Sequence, residues 1–268
     1  MRGSASTWVF ASLAIAGAIL WSLRAFMNEV GPRESDSSRS GAVGMTGVRW
    51  TNAAFPGGMR ALMADGLWLK VYAAWAVRDR GRTEALIHWV TMVDDRPTRF
   101  WMNGARVIAY DIPEWRLSTM NGGEVPSEAR RRVVEEQACA ALKYLDEARM
   151  SHPRVAAIWV EQGNIELYRR GDLRSAAECY RRAAELPDAP YYAARIHAEL
   201  LRRLGREQEA YVWLRRLHPT LPSDDQAAMS ELVLRRIRDL EGRLHVPEKE
   251  RYVPMSLQSD AARRKKLD

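Results

Sequence analysis

The sequence predicts an all-α protein in which one transmembrane helix is followed by stacked pairs of amphipathic helices. Three observations support this fold class. Residues 3–23 carry no charge, apolar residues elsewhere recur at helical spacing without convincing strand alternation, and one helical pattern returns after 34 residues. That offset relates Gly171 to Gly205 and Ala176 to Ala210. A fixed period of this length is typical of units that bury their apolar faces against one another.

The uncharged run at residues 3–23 is long enough to cross a membrane as a helix. At ~1.5 Å per residue it spans about 31 Å, close to the thickness of the hydrocarbon core. No small-residue cleavage pattern follows the apolar core, so residues 1–27 are expected to remain as an anchor, with a cleaved signal peptide as the alternative. The number of lysines and arginines on each side of the run slightly favours a cytoplasmic location for the part of the chain that follows it. The very short segment before the run favours export, which predicts a bacterial inner-membrane protein with a periplasmic repeat domain.

The next segment and the overall charge indicate how the anchored domain is presented. Residues 28–56 are rich in Gly, Ser and charged residues and are expected to form a flexible linker. The net charge is +7 and arises from 36 arginines against five lysines. Such a bias more often reflects genome composition than nucleic-acid binding, so no nucleic-acid partner is expected.

The helical region begins after the linker and extends to residue 222. Leu62, Leu69, Tyr72 and Trp75 mark an apolar face on its first helix. Gly81 is expected at the turn between the first two helices, as Gly171 and Gly205 are at later turns. Two cysteines, Cys139 and Cys179, lack metal-binding spacing and are expected as small buried residues inside helices, with a disulfide between them left open.

Residues 154–187 carry Trp159, Gly163, Ala176, Tyr180, Ala183 and Pro187 at spacings that resemble the tetratricopeptide repeat. The resemblance covers roughly residues 59–221. It implies a right-handed α-solenoid of about four helix pairs over residues 57–222. One interval, from Gly163 to Ala176, is a residue longer than in the family, so we expect an expanded turn between the two helices. The resemblance implies packing roles for Trp159, Gly163, Gly171, Ala176, Tyr180, Ala183, Gly205 and Ala210.

The chain after Pro222 is expected to close the stack. Ser223 and Gln226 have capping-box spacing, and an apolar face continues to Leu244. Residues 223–246 are therefore predicted to form a capping helix. Residues 247–268, which end in ARRKKLD, are predicted to be a disordered basic tail.

The family resemblance also implies where a partner binds. First helices of successive units line a concave groove that accepts a peptide or a helix. Asn164 stands where the family often has an asparagine that hydrogen-bonds the ligand backbone, and a plain exposed polar residue is the alternative. Arg195, Glu199 and Arg202 are groove candidates by helical face. Trp101 and Tyr110 are candidates for a second surface, with core packing favoured for Trp101.

The sequence contains no catalytic or cofactor motif. Its five histidines are scattered, and neither a nucleophile motif nor a phosphate-binding loop is present. No catalytic residue, metal site, cofactor or small-molecule substrate is therefore predicted. The expected function is that of an adaptor that binds other proteins in a cell-envelope complex. An enzyme with a site in the insertion at residues 111–128 and an RNA-binding repeat protein remain as alternatives.

Overall fold

A computed structural model describes residues 57–119, 126–222 and 224–254 of the 268-residue chain. All regular secondary structure in these residues is helical, which confirms the predicted all-α class. Within them, no helix is both long and apolar enough to cross a bilayer. The anchor predicted at residues 1–27 and the linker predicted at residues 28–56 lie outside the described part. The chain divides into two compact units, with the boundary between Phe100 and Trp101.

The first unit contains a pair of helices packed against each other. These are α1 (Gly57–Ala76) and α2 (Arg80–Val93). The indole of Trp68 on α1 contacts the ring of Phe100, with 5.2 Å between the ring centroids. The buried apolar side chains of the pair come from both helices and comprise Ala64, Leu67, Trp68, Val71, Ala74, Leu86, Ile87 and Val90.

The apolar face that the sequence marks on α1 is not the face that packs on α2. Leu62 and Leu69 are 70% and 69% exposed, and Tyr72 and Trp75 are 55% and 44% exposed. Apolar residues surround most of this helix, so their spacing alone could not separate the inner face from the outer one. The first helix therefore has two apolar faces, one buried in the unit and one exposed.

The turn between α1 and α2 is formed by Arg78. The sequence had predicted Gly81 at this turn. Arg78 has a φ of 56°, in the same left-handed region as Gly171 at 70° and Gly205 at 73°. Each of these three residues precedes the N-cap residue of the next helix. Gly81 lies inside the first turn of α2. The expectation was wrong because residue type was used to locate a turn that is defined by backbone conformation.

Replacing Arg78 by glycine is expected to stabilise the protein. A side chain in the left-handed region costs about 1–2 kcal/mol, and glycine avoids this cost while losing more chain entropy on folding. We expect Arg78→Gly to raise the free energy of unfolding by about 0.5–1 kcal/mol, as measured by urea denaturation. The control Arg80→Gly, in the first turn of α2, should instead lower it. Destabilisation by Arg78→Gly would contradict the left-handed turn.

The second unit is a series of helices in which each packs on the next. Two of its helices continue through π-helical turns, in which the backbone hydrogen bonds reach one residue further than in an α-helix. The elements are α3 (Thr98–Arg106), whose first three residues belong to the first unit, the first π turn (Val107–Asp111), α4 (Ile112–Thr119), α5 (Ser127–Ser151), α6 (Ala156–Ile165), the second π turn (Glu166–Arg170), α7 (Leu173–Ala184), α8 (Tyr191–Arg203), α9 (Glu207–Leu217) and α10 (Ser230–Arg243).

The residues assigned packing roles from the sequence lie mainly in two clusters of buried side chains. Ala176, Tyr180 and Ala183 lie in a cluster formed by α6, α7 and α8, against which Trp159 packs. Ala210 lies in a second cluster, formed by α8, α9 and α10. Small residues at these positions let neighbouring helices approach closely, while the tyrosine fills the space between them.

The additional residue between Gly163 and Ala176 lies inside a helix and not in the turn. The second π turn extends the first helix of this pair as far as Arg170. The connection to α7 then consists only of Gly171 and Asp172, whose carboxylate accepts hydrogen bonds from the backbone N–H groups that begin α7. The expected expansion of the inter-helix turn was therefore wrong, because a π turn absorbs one residue without lengthening the connection.

The C-terminal elements differ in extent from the prediction. Helix α10 begins at Ser230 and not at residue 223, because Met229 has a φ of 52° and breaks the helical path. Residues 247–254, predicted as part of a disordered tail, lie against the last helices. The backbone N–H of Tyr252 donates to the Glu241 carboxylate at 2.6 Å, and the Tyr252 ring contacts His218. The buried Glu241 carboxylate thus holds Tyr252, near the start of the predicted tail, against the last helix.

Candidate peptide-binding cleft

A cleft of about 420 Å³ lies between the two π-helical turns of the second unit. One wall comes from α3 and the first π turn, and the other comes from α6 and the second π turn. These two helices are the first members of consecutive pairs, which is where the family resemblance places a binding groove. Each wall therefore contains a π turn, a feature that is frequent at functional sites. The lining residues are Arg106, Tyr110, Asp111, Glu161, Asn164 and Tyr168.

The side chain of Asn164 is held in one orientation by the buried Tyr180. The Tyr180 hydroxyl donates to Asn164 Oδ1 at 2.6 Å. Burial raises the pKa of Tyr180, so its hydroxyl remains a proton donor at neutral pH. With Oδ1 engaged, the amide has two N–H donors left, and these make no hydrogen bond to the described part of the protein. Asn164 therefore presents hydrogen-bond donors to the cleft.

An ion pair joins the two walls of the cleft. Arg106 Nη2 lies 2.7 Å from Glu161 Oε2, and the Glu161 side chain is 3% exposed whereas that of Arg106 is 51% exposed. The hydrogen bond to Glu161 raises the pKa of Arg106. A buried carboxylate is costly unless it is paired, so this contact allows Glu161 to lie in the cleft. The half-exposed guanidinium is still accessible to a ligand.

Two tyrosines add aromatic surface to the cleft. The Arg169 guanidinium lies 5.1 Å from the ring centroid of Tyr110, and burial raises the pKa of this tyrosine. Tyr168 is 67% exposed. Tyrosine offers an apolar ring and a polar hydroxyl with few rotatable bonds, and it is enriched at protein interfaces for that reason. The cleft thus combines aromatic surface with fixed amide donors.

The structure does not bring the other predicted groove residues to this cleft. Arg195 Nη1 donates to the backbone oxygens of Ala227 and Ala228 at 3.0 and 2.8 Å, so it holds the connection that precedes α10. Glu199 and Arg202 form two hydrogen bonds with each other and line a smaller cleft of about 130 Å³. Among the four predicted groove residues, Asn164 is the one that lines the cleft between the π turns.

The two residues considered for a second surface, Trp101 and Tyr110, lie in different places. Trp101 is buried and its ring packs on Tyr144, with 4.7 Å between the ring centroids. Tyr110 lies in the cleft with Asn164. Four of the residues that line the cleft were not predicted from the sequence as site residues: Arg106, Asp111, Glu161 and Tyr168. The sequence signal for this site was the additional residue between Gly163 and Ala176, because that residue is accommodated by the second π turn, which lies beside the cleft.

The cysteines and histidines do not form a reactive or metal-binding site in the described residues. Cys139 is exposed, contrary to the expected burial, and Cys179 is partly buried; both are free thiols. Burial raises the pKa of Cys179 to about 12, and partial desolvation together with the neighbouring Glu135 carboxylate raises the pKa of Cys139. Neither thiol is therefore activated as a nucleophile. Within the same residues, no group of three or more His, Cys, Asp or Glu side chains is arranged to hold a metal ion.

No protein-family model matches this chain, and no curated protein matches it significantly. The resemblance to the tetratricopeptide repeat therefore depends on the residues quoted from the sequence.

Proposed function

We propose that this protein is a membrane-anchored tetratricopeptide adaptor that binds a segment of another protein and so helps to assemble a cell-envelope complex. The motif at residues 154–187 and the succession of packed helices in the second unit support this proposal. In this arrangement the helix pairs are units of a right-handed α-solenoid, and α10 covers its last unit. The uncharged run at residues 3–23 supplies the membrane anchor.

The observation that carries the proposal is the fixed orientation of Asn164. Its free N–H donors match the carbonyl oxygens of an extended peptide backbone, which every sequence provides. Tyr110 and Tyr168 offer aromatic surface to the side chains of such a peptide. Arg106 adds a half-exposed cation beside them. This combination is typical of protein recognition, where tyrosine and arginine often dominate the binding energy.

The ion-paired arginines on α7 favour the adaptor over an RNA-binding protein. RNA binding requires cations that are available to phosphates. Arg181 lies 2.5 Å from both Glu178 and Glu185, and Arg182 lies 2.9 Å from Glu178. The hydrogen bond from Arg181 lowers the pKa of Glu178 to about 2, so this carboxylate stays ionised and compensates the arginine charge.

The Asn164 donors are expected to control partner binding. A photo-crosslinking residue in place of the exposed Tyr168 should capture a partner protein in membranes, whereas the same residue at the exposed Met150 should not capture that partner. Asn164→Asp keeps the acceptor for Tyr180 but removes the donors. We expect both Asn164→Asp and Asn164→Ala to lower the capture yield about five- to tenfold, which corresponds to the loss of one or two hydrogen bonds.

Two results would contradict the adaptor proposal. One is capture of the same proteins from Tyr168 and from Met150, since this would indicate non-specific contact. The other is an unchanged yield with Asn164→Asp when the folded fraction is also unchanged. The proposed periplasmic orientation has a separate test: a reporter fused after Asp268 should be active outside the cytoplasm, and activity only in the cytoplasm contradicts it.

A further inference from the structure

The outer face of α1, defined as Leu62, Leu69, Tyr72, Ala73 and Ala76, is an exposed apolar surface in the first unit. Their spacing places these residues on one side of the helix, away from the buried face. All five are exposed. Isolated apolar side chains are common on protein surfaces, but several exposed apolar residues on one helix face usually mark a contact with another molecule or with a membrane.

The charged groups at the C-terminal end of α1 and the start of α2 include three cations without an ion-pair partner in the described part of the chain, together with Asp79, whose Oδ1 accepts a hydrogen bond from the backbone N–H of Arg82. Asp65 lies on the same side of α1, but Arg99 binds its carboxylate at 2.7 Å and neutralises it. Lys70, Arg78 and Arg82 form no ion pair with the described residues. Burial and the neighbouring charge of Arg82 lower the pKa of Lys70, which is consistent with uncompensated positive charge at this edge.

We propose that the outer face of α1 lies on the surface of an anionic phospholipid bilayer. Its leucines would enter the region between headgroups and acyl chains, and Tyr72 would lie at the interface, where tyrosine is favoured. Lys70, Arg78 and Arg82 would contact lipid phosphates. A second copy of the chain is a poorer match, because pairing two outer faces would bring unpaired cations together without adding anions.

The position of α1 in the chain supports a lipid surface as the occupant. The inference rests on the proposed membrane anchor at residues 3–23. Thirty-three residues, 24–56, would then separate the anchor from the start of α1 at Gly57. A tether of this length keeps the outer face at a high effective concentration near the bilayer. Weak interfacial contacts then suffice to hold the face on the membrane.

The test uses the full-length chain in phosphatidylcholine vesicles with and without phosphatidylglycerol. An environment-sensitive fluorophore is attached at position 69 in a Leu69→Cys, Cys139→Ala, Cys179→Ala chain. In the control, only Cys179 is replaced and the fluorophore is on Cys139, which is exposed in the second unit. We expect the fluorophore at position 69 to shift to the blue and to be quenched by lipid-attached quenchers when phosphatidylglycerol is present. The fluorophore on Cys139 should do neither.

Substitutions separate the apolar and ionic contributions. Leu62→Glu should lower the ratio of membrane-bound to free outer face about tenfold, because a leucine that would enter the bilayer on binding is replaced by a charge. The matched control Met150→Glu introduces the same charge at an exposed apolar residue of the second unit and should leave that ratio unchanged. Lys70→Glu with Arg78→Glu should abolish the dependence on phosphatidylglycerol. An unchanged dependence would overturn the ionic part of the proposal.

The outcomes distinguish this proposal from the proposed anchor. If the chain floats with vesicles but the fluorophore at position 69 is unaffected, the outer face does not bind lipid, whereas the anchor stands. If the chain does not float at all, both proposals fail. If the fluorophore at position 69 is shielded without vesicles, a protein surface covers the face and the lipid proposal is overturned. Disulfide-linked dimers formed through the unlabelled cysteine at position 69 would then identify a second copy.

Discussion

Replacing Glu241 by alanine is expected to lower the free energy of unfolding by about 3 kcal/mol. The Glu241 side chain is 2% exposed and lies 2.7 Å from Arg238. Its carboxylate also accepts hydrogen bonds from the Tyr211 hydroxyl at 3.2 Å and from the Tyr252 backbone N–H at 2.6 Å. The alanine variant leaves these two donors without an acceptor, and each unsatisfied buried donor costs about 1–3 kcal/mol.

The measurement is urea denaturation of the full chain, with Glu207→Ala as the matched control. Glu207 also pairs with an arginine, at 2.6 Å from Arg243, but it lies nearer to solvent. Exposed pairs of this kind contribute little, so the control should change stability far less. Equal effects of the two substitutions would show that the Glu241 network does not hold the C-terminal elements together.

The contribution of Glu241 should also depend on pH. Burial alone raises the pKa of this carboxyl, but the hydrogen bonds from Arg238, Tyr252 and Tyr211 and the charge of Arg238 together lower it below its ordinary value of 4.5. A lowered pKa in the folded state stabilises the protein above the ordinary value, and this stabilisation is lost as the pH falls through the folded-state pKa. The stability difference between the wild type and Glu241→Gln should therefore shrink as the pH falls below 4.5.

The parts of the fold that the sequence predicted are those encoded by local spacing. Ala176, Tyr180 and Ala183 repeat with the helical period, and Gly171 and Gly205 supply left-handed turns that glycine adopts at low cost. Arg78 adopts the same left-handed conformation although it is not glycine, so the residue type at this position did not indicate a turn. On α1, apolar residues surround most of the helix, so periodicity could not indicate which face is buried.

The candidate site was less predictable because it depends on contacts between residues that are distant in the chain. Asn164 was identified through the family resemblance, but Arg106 reaches Glu161 across 55 positions, and only packing reveals that contact. Arg195 shows the opposite limitation. Its helical face suggested a ligand contact, yet its guanidinium binds two backbone oxygens of its own chain. A sequence cannot distinguish these two uses of an arginine.

The second large effect is expected for Gly163→Val, which should lower the free energy of unfolding by about 3 kcal/mol. A Cβ atom at Gly163 would lie 3.0 Å from two ring carbons of Tyr180 and 3.4 Å from Cβ of Cys179. The two valine methyl groups would add further overlap. Overpacking of a buried site costs about 1–3 kcal/mol or more, and this exceeds the helix-propensity gain of less than 1 kcal/mol.

The matched control is Gly242→Val in α10, where an added Cβ would meet no atom within 4 Å. We expect this variant to be as stable as the wild type or slightly more stable, as measured by urea denaturation. A destabilisation of similar size in both variants would indicate a general effect of valine in a helix and would exclude a specific clash with Tyr180.

The Gly163 variants also connect the packing of α6 on α7 to the proposed binding site. The Tyr180 ring that fills the space beside Gly163 carries the hydroxyl that orients Asn164. Gly163→Ala, a smaller change, should cost about 1 kcal/mol and leave most of the chain folded. It should nevertheless lower photo-capture from position 168, because displacement of the ring releases the Asn164 amide. If Gly163→Ala were destabilised without loss of capture, Tyr180 would serve packing alone and the Asn164 donors would not need its support.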